Sequence, residues 1–247
     1  LERCSEIFRL LASQWKVMET LSPQDFLAFR DRLGTSSGFE SWQLRSIETL
    51  LGLKSEQRIG GMDPMEHNRK LHSEGKLSDS VMDNLNRISS GPSLNDVLMR
   101  WLSRTPVNGF SGNEKVMREF VENHLSSMKK HGEEVISHIV KIGHGNEDKV
   151  RPRINAGIAS ARDFLLPNNE VSFARAGLLF IESYRELPLL AWPRKLISTL
   201  IELEQSMILW RTSHARMVER MIGRRIGTGG SSGVDYLDMS TKYRVFV

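Results

Sequence analysis

A histidine set among apolar residues on one helical stripe is the first place in this sequence where chemistry could sit. Leu196, Leu200, Leu203, Met207, Trp210, His214, Met217 and Met221 recur at alternating spacings of four and three, so they form one seam buried against neighbouring helices. An imidazole in such a seam has lost water and needs another partner for its nitrogens. Hydrogen bonds inside a core would serve, and so would an axial bond to haem iron. Spacing by itself leaves both readings open and favours the core histidine.

Two further groups could hold a ligand. Phe26 and Arg30 stand at i and i+4, on one helix face. A ring beside a guanidinium suits a planar ligand that ends in a carboxylate; a core Phe next to an exposed Arg is the plainer alternative. The run Gly227-Thr228-Gly229-Gly230-Ser231-Ser232-Gly233 can fold tightly around a small group, and Thr228 could accept a hydrogen bond from an ammonium. It follows a helix and lacks the lysine of a phosphate-binding loop, so nucleotide binding is a poor reading. The remaining histidines make no metal-binding spacing, and no nucleophile elbow is present. Arg211, Arg216, Arg220, Arg224 and Arg225 read most simply as the solvated outer face of the seam helix.

The elements that must position these residues are helical, and no stretch alternates at the strand period. Residues 2–21 are expected to form a helix with Cys4, Ile7, Leu11, Met18 and Leu21 near its apolar face. Ser22 then caps a helix that has Pro23 at its first position and ends at Gly34. Further helices are expected over about 40–53, 64–74, 78–88, 112–142, 172–187 and 193–222. Residues 144–153 are expected to be a polar loop, because Pro152 opposes continuous helix.

Composition sets the class. The chain has 247 residues, 39% hydrophobic and 26% charged, the mixture of a soluble globular protein. No apolar run reaches the roughly 18 residues of a membrane span, and no signal peptide is visible. The single cysteine, Cys4, excludes an internal disulfide and a Cys-x-x-Cys-His haem attachment, which fits a cytoplasmic protein. A net charge of +4, dispersed along the chain, gives no reason to expect nucleic-acid binding.

Two long stretches together resemble the tryptophan 2,3-dioxygenase family. They are QWKVMETLSPQDFLAFRDRLGTSSGFESWQLRSIETLLG and LWRTSHARMVERMIGRRIGTGGSSGVDYL, the second followed by YRVF; PSLNDVLMRWLSR and the region from Val171 to Pro188 match more weakly. The resemblance implies an all-α helical bundle with haem b held non-covalently between helices. It implies a homotetramer that inserts both atoms of O2 across the indole C2–C3 bond of L-tryptophan, giving N-formylkynurenine. By matching position, His214 is the axial haem ligand, and Trp15, Ser37, Gly38 and Arg45 line the haem pocket. Arg30 pairs with the substrate carboxylate, Phe26 lies beside the indole, and Thr228 contacts the ammonium and carboxylate.

Two departures qualify the resemblance. The family carries a distal phenylalanine and histidine on a helix upstream of the first matching stretch. The expectation is therefore one haem-binding oxygenase domain over residues 1–247 that lacks this helix, with its distal catalytic residues unassigned. Leu44 also stands where the family usually has an aromatic residue. These departures keep open a haem mono-oxygenase of a substituted tryptophan. A non-catalytic basic helical binding module is the alternative from another class.

Overall fold

In a computed structural model the structure describes residues 1–32, 41–53, 63–142, 146–223 and 233–246, apart from the side chains of Asp31, Pro64 and His67. Among the described residues the fold is all-α, with one isolated bridge between Val107 and Phe110 and no strand. None of their helices is long and apolar enough to cross a membrane. The helices are α1 (Glu2–Met18), α2 (Pro23–Arg32), α3 (Trp42–Leu51), α4 (Pro64–Ser73), α5 (Asp79–Ser90), α6 (Leu94–Leu102), α7 (Glu114–Lys141), α8 (Glu147–Leu165), α9 (Phe173–Ser183), α10 (Ala191–Ile222) and α11 (Val234–Ser240). They fall into two compact units. The first joins Leu1–Asp96 with Lys195–Val247, and the second is Val97–Arg194.

Local chemistry starts these helices where side chains can satisfy the free amides of a first turn. At α2, Ser22 Oγ accepts from the Asp25 amide at 3.1 Å and donates to the Asp25 carboxylate at 2.6 Å. Ser41, Asp63, Ser78, Asn113 and Asn146 accept in the same way at the starts of α3, α4, α5, α7 and α8. Gly52 ends α3 with φ +101°, and a Cβ there would come within 2.7 Å of Ser93 Oγ. Only glycine fits that left-handed, crowded turn.

In the first unit α1 runs alongside α10 in the same direction. The ion pairs Glu2–Lys195 (2.9 Å), Arg9–Glu202 and Glu19–Arg220 (3.1 Å) follow one another along both helices. Between them two apolar clusters form. One gathers Phe8, Leu51, Leu203 and Met207, with Leu94, Trp210, Val245 and Phe246 against them. The other gathers Phe26, Met217 and Met221, with Trp15, Met18, Val218 and Ile222.

In the second unit α7, α8 and α9 enclose Val107, Met117, Phe120, Val121, Leu125, Leu165, Leu166, Val171 and Ala176. Gly177 lets α9 press on the end of α6: a Cβ there would stand 2.3 Å from the Leu102 carbonyl oxygen.

Three expectations are corrected. On α1 the buried residues are Ser5, Phe8 and Ala12, whereas Cys4, Ile7, Leu11 and Leu21 are exposed. The inward face is thus offset from the expected apolar stripe, because Phe8 packs with Leu203 and Met207 of α10. Residues 147–153 are helical, with Pro152 inside α8. The cap at Asn146 and the packing of Ile154 and Ile158 over Gly132 hold α8, while Asp148, whose carbonyl the proline leaves unbonded, is exposed to water. Arg211, expected on a solvated face, is buried. The seam helix itself matches expectation, beginning at Ala191, two residues before Pro193.

Candidate functional site

The seam on α10 places His214 one turn beyond Trp210 and one turn before Met217 and Val218. Trp15 of α1 lies flat against its imidazole, with ring centroids 4.5 Å apart and planes 16° from parallel. The Trp210 ring also lies near-parallel to the imidazole, at 6.3 Å and 21°. Burial pushes the His214 pKa down to about 4. Near neutral pH the ring is therefore uncharged, with a proton on one nitrogen and a lone pair on the other.

Trp15 carries a second signal. Its Nε1 is buried and has no hydrogen-bond partner among the described residues. An indole N–H can only donate, so the position suits an acceptor such as a carboxylate.

Phe26 comes from α2 and is buried against Met217 and Met221, in the cluster that Trp15 also borders. The structure thus brings Trp15, Phe26 and the α10 face bearing His214 together in one unit. Arg30, one turn beyond Phe26, is half-buried. Ser37, Gly38 and Thr228 lie outside the described residues.

Arg45 is buried and tightly held. Its guanidinium donates to Glu48 at 2.8 Å and to the Tyr236 hydroxyl at 3.3 Å. Glu48, 1% exposed, also accepts from Arg211 at 2.8 Å, and the Arg211 guanidinium stands 5.0 Å from the Tyr243 ring centre. Burial opposes the charge on both arginines. On Arg45 the attraction of Glu48 and Tyr236 outweighs it and raises the pKa; on Arg211 burial prevails and lowers it. Nearby, the Glu204 carboxylate accepts from the Val245 and Phe246 amides. The residues after Gly233 are thus tied to α3 and α10 by buried charges.

Sequence reading missed this network. The Arg45/Glu48 spacing of three was visible, but Arg211 lies 163 residues from Glu48, and nothing local announces that pairing.

The arrangement fits a haem. A neutral imidazole braced by a flat ring is a competent axial ligand, and Phe26, Met217 and Met221 give an apolar surround. The buried Trp15 N–H suits the anionic edge of a porphyrin, whereas the Arg45 guanidinium is already paired with Glu48 and Tyr236.

A family model described as tryptophan 2,3-dioxygenase matches residues 1–247. The chain is 41% identical to the tryptophan 2,3-dioxygenase 2 of Ralstonia nicotianae, over 100% of the chain and 70% of that protein. Identity is 43% to the tryptophan 2,3-dioxygenase of Sorangium cellulosum, over 99% of the chain and 62% of that protein. A tryptophan 2,3-dioxygenase-like protein of Xanthomonas campestris pv. campestris is 42% identical, over 92% and 88%.

Proposed function

This chain belongs to the tryptophan 2,3-dioxygenase family, and we propose on that footing that it carries out haem-dependent oxygenation of L-tryptophan. O2 is inserted across indole C2–C3 to give N-formylkynurenine. The observation that carries the assignment is the neutral, Trp15-stacked His214 imidazole on a chain similar to these relatives along its whole length.

His214 would hold the iron of a non-covalent haem b, and Trp15, Ser37, Gly38 and Arg45 would line its pocket. Bound haem supplies the iron chemistry that activates O2. The chain's own residues bind and orient the amino acid. Phe26 packs on the indole, Arg30 takes the carboxylate, and Thr228 meets the ammonium and carboxylate. Holding both charged ends fixes one presentation of the ring, which is worth far more than affinity alone. The apolar walls around His214 keep water out and the imidazole unprotonated. We place the active form in the cytoplasm as a homo-oligomer, a tetramer as the resemblance implies.

Absorbance of the haem-reconstituted chain, with and without L-tryptophan, tests the reading. A Soret band that is absent in His214→Ala and shifts with substrate is expected, and mass spectrometry should find two oxygens added with ring opening. Failure to take up haem overturns the proposal, and a product with one added oxygen moves it to mono-oxygenation. Arg30→Ala should raise KM by the equivalent of roughly 2–4 kcal/mol, the loss of a desolvated charge pair.

A further inference from the structure

Three charges are buried together beside the α10 turn that carries His214. Glu48 of α3 accepts from Arg45 on its own helix and from Arg211 of α10, each at 2.8 Å. The Glu48 and Arg211 side chains are 1% and 5% exposed. Arg211 precedes His214 by three positions, so the two side chains leave α10 about 60° apart in rotation and about 4.5 Å apart along its axis. Glu204, Arg211 and Ala215, all buried, form a second inward stripe beside the one that holds Met207, His214 and Met217. Such a network is a poor way to gain stability. Removing charges from water costs about what their pairing returns, so apolar side chains of similar volume hold a core as well or better. What the charges add is direction. The cluster of Phe26, Met217 and Met221 attracts without direction, and a helix held only by such contacts can roll and slide. A carboxylate shared between two guanidiniums sets both distance and angle. The ion pairs of Lys195, Glu202, Arg216 and Arg220 on α10 lie where water reaches them, which weakens their grip.

We propose that Glu48 is a positioning residue for His214: through Arg211 it fixes the roll of α10 at the turn before the imidazole, and through Arg45 it ties that turn to α3. The inference rests on the haem-ligand role proposed for His214. Trp15 braces the ring itself from α1, and Glu48 holds the backbone that carries it from α3. The C-terminal segment completes the clamp. The Tyr243 ring centre stands 5.0 Å from the Arg211 guanidinium, and the Tyr236 hydroxyl accepts from Arg45 at 3.3 Å. Two anchors from different helices stop both rotation and sliding, and a ligating side chain has to be held to within about half an ångström.

The test replaces direction by apolar volume. Glu48→Met with Arg211→Met leaves neither charge of that pair buried alone. In the haem-free chain, NMR of the His214 ring protons reads the ring-current shift from the stacked Trp15. In the haem-loaded chain, transfer of haem to excess apomyoglobin reads how firmly it is held. The double variant should stay folded by circular dichroism, show His214 ring signals displaced from their wild-type positions, and release haem at least about 10-fold faster. Leu85→Ala, a cavity in the buried face of α5, should lower stability and leave both readouts at wild type. Should the methionine pair fail to fold, Arg211→Lys takes its place with the same expectations, since it keeps the opposite charges and loses the planar fork. Wild-type ring signals in a folded variant, or wild-type haem release from it, overturn positioning by Glu48 while the haem reading stands. Leu85→Ala moving both readouts equally also overturns it, because stability alone then explains them. A wild-type chain that takes up no haem overturns the axial-ligand role of His214, and this inference with it.

Discussion

Trp15 and His214 lie face to face, 4.5 Å between ring centres, although they are 199 positions apart in the sequence. The stack braces the imidazole at the point where burial has already lowered its affinity for a proton.

That depressed affinity makes the haem-free chain sensitive to acid. The folded-state pKa of His214 is about 4, against roughly 6.5 in an unfolded chain. Between those values the unfolded chain binds more protons, so stability rises with pH across the window and is lost as pH falls from about 6.5 towards 4. The full effect is on the order of 3 kcal/mol. Urea midpoints measured across this range should slope in the wild type and flatten in His214→Gln. Equal slopes would remove His214 from the explanation.

The stacking partner can be tested separately. Trp15→Ala should cost about 3 kcal/mol, towards the low end for loss of an aromatic side chain, and should raise the His214 pKa by readmitting water. Trp15→Phe keeps a flat ring and should cost less than about 1.5 kcal/mol. Imidazole titration by NMR reads the pKa and thermal unfolding reads the stability. An unchanged pKa in Trp15→Ala would mean that the ring contributes nothing to the burial of His214.

Glu48 should be among the least replaceable residues. It bonds Arg45 and Arg211 at 2.8 Å each while almost wholly buried. Glu48→Gln removes the charge that both guanidiniums share and should destabilise by about 3–5 kcal/mol. Replacing Glu48 and Arg211 together by methionine should recover part of the loss, because no buried carboxylate or Arg211 charge is then left without its partner. A double variant as unstable as Glu48→Gln would show that the network is held by something other than charge.

Two glycines offer a paired test of helix packing. Gly177→Ala would place a methyl 2.3 Å from the Leu102 carbonyl oxygen, so the α6–α9 crossing must open; overpacking of this kind costs about 1–3 kcal/mol. Gly157, exposed in the middle of α8, has nothing within 4 Å of the same added carbon. Gly157→Ala should stabilise by up to about 1 kcal/mol. Melting temperatures moving in the same direction in both variants would contradict the packing described.

Legibility followed the range of the interactions involved. Ser22, Pro23 and Asp25 announce α2, and the four-three spacing from Leu196 to Met221 announces α10, because capping and periodicity are local. The face of α1 was misread because two apolar stripes compete on it, and which one turns inward depends on the distant α10. Pro152 misled for a related reason: its local penalty was overcome by packing on Gly132. Among the candidate residues, His214 stood out for its place in an apolar seam, while residue type and spacing left Arg30 and Thr228 no better than a surface arginine and a plain loop until the resemblance was added. The union of Glu48 with Arg211 had no local signature at all.

The first unit is assembled from two stretches, Leu1–Asp96 and Lys195–Val247, with the whole second unit between them. A ribosome therefore releases α1 long before α10 exists to receive Phe8 and Trp15. The second unit, whose contacts lie close in sequence, can close while synthesis continues. The early product must wait with its aromatic residues uncovered, and chaperone demand during translation should be concentrated on that first stretch.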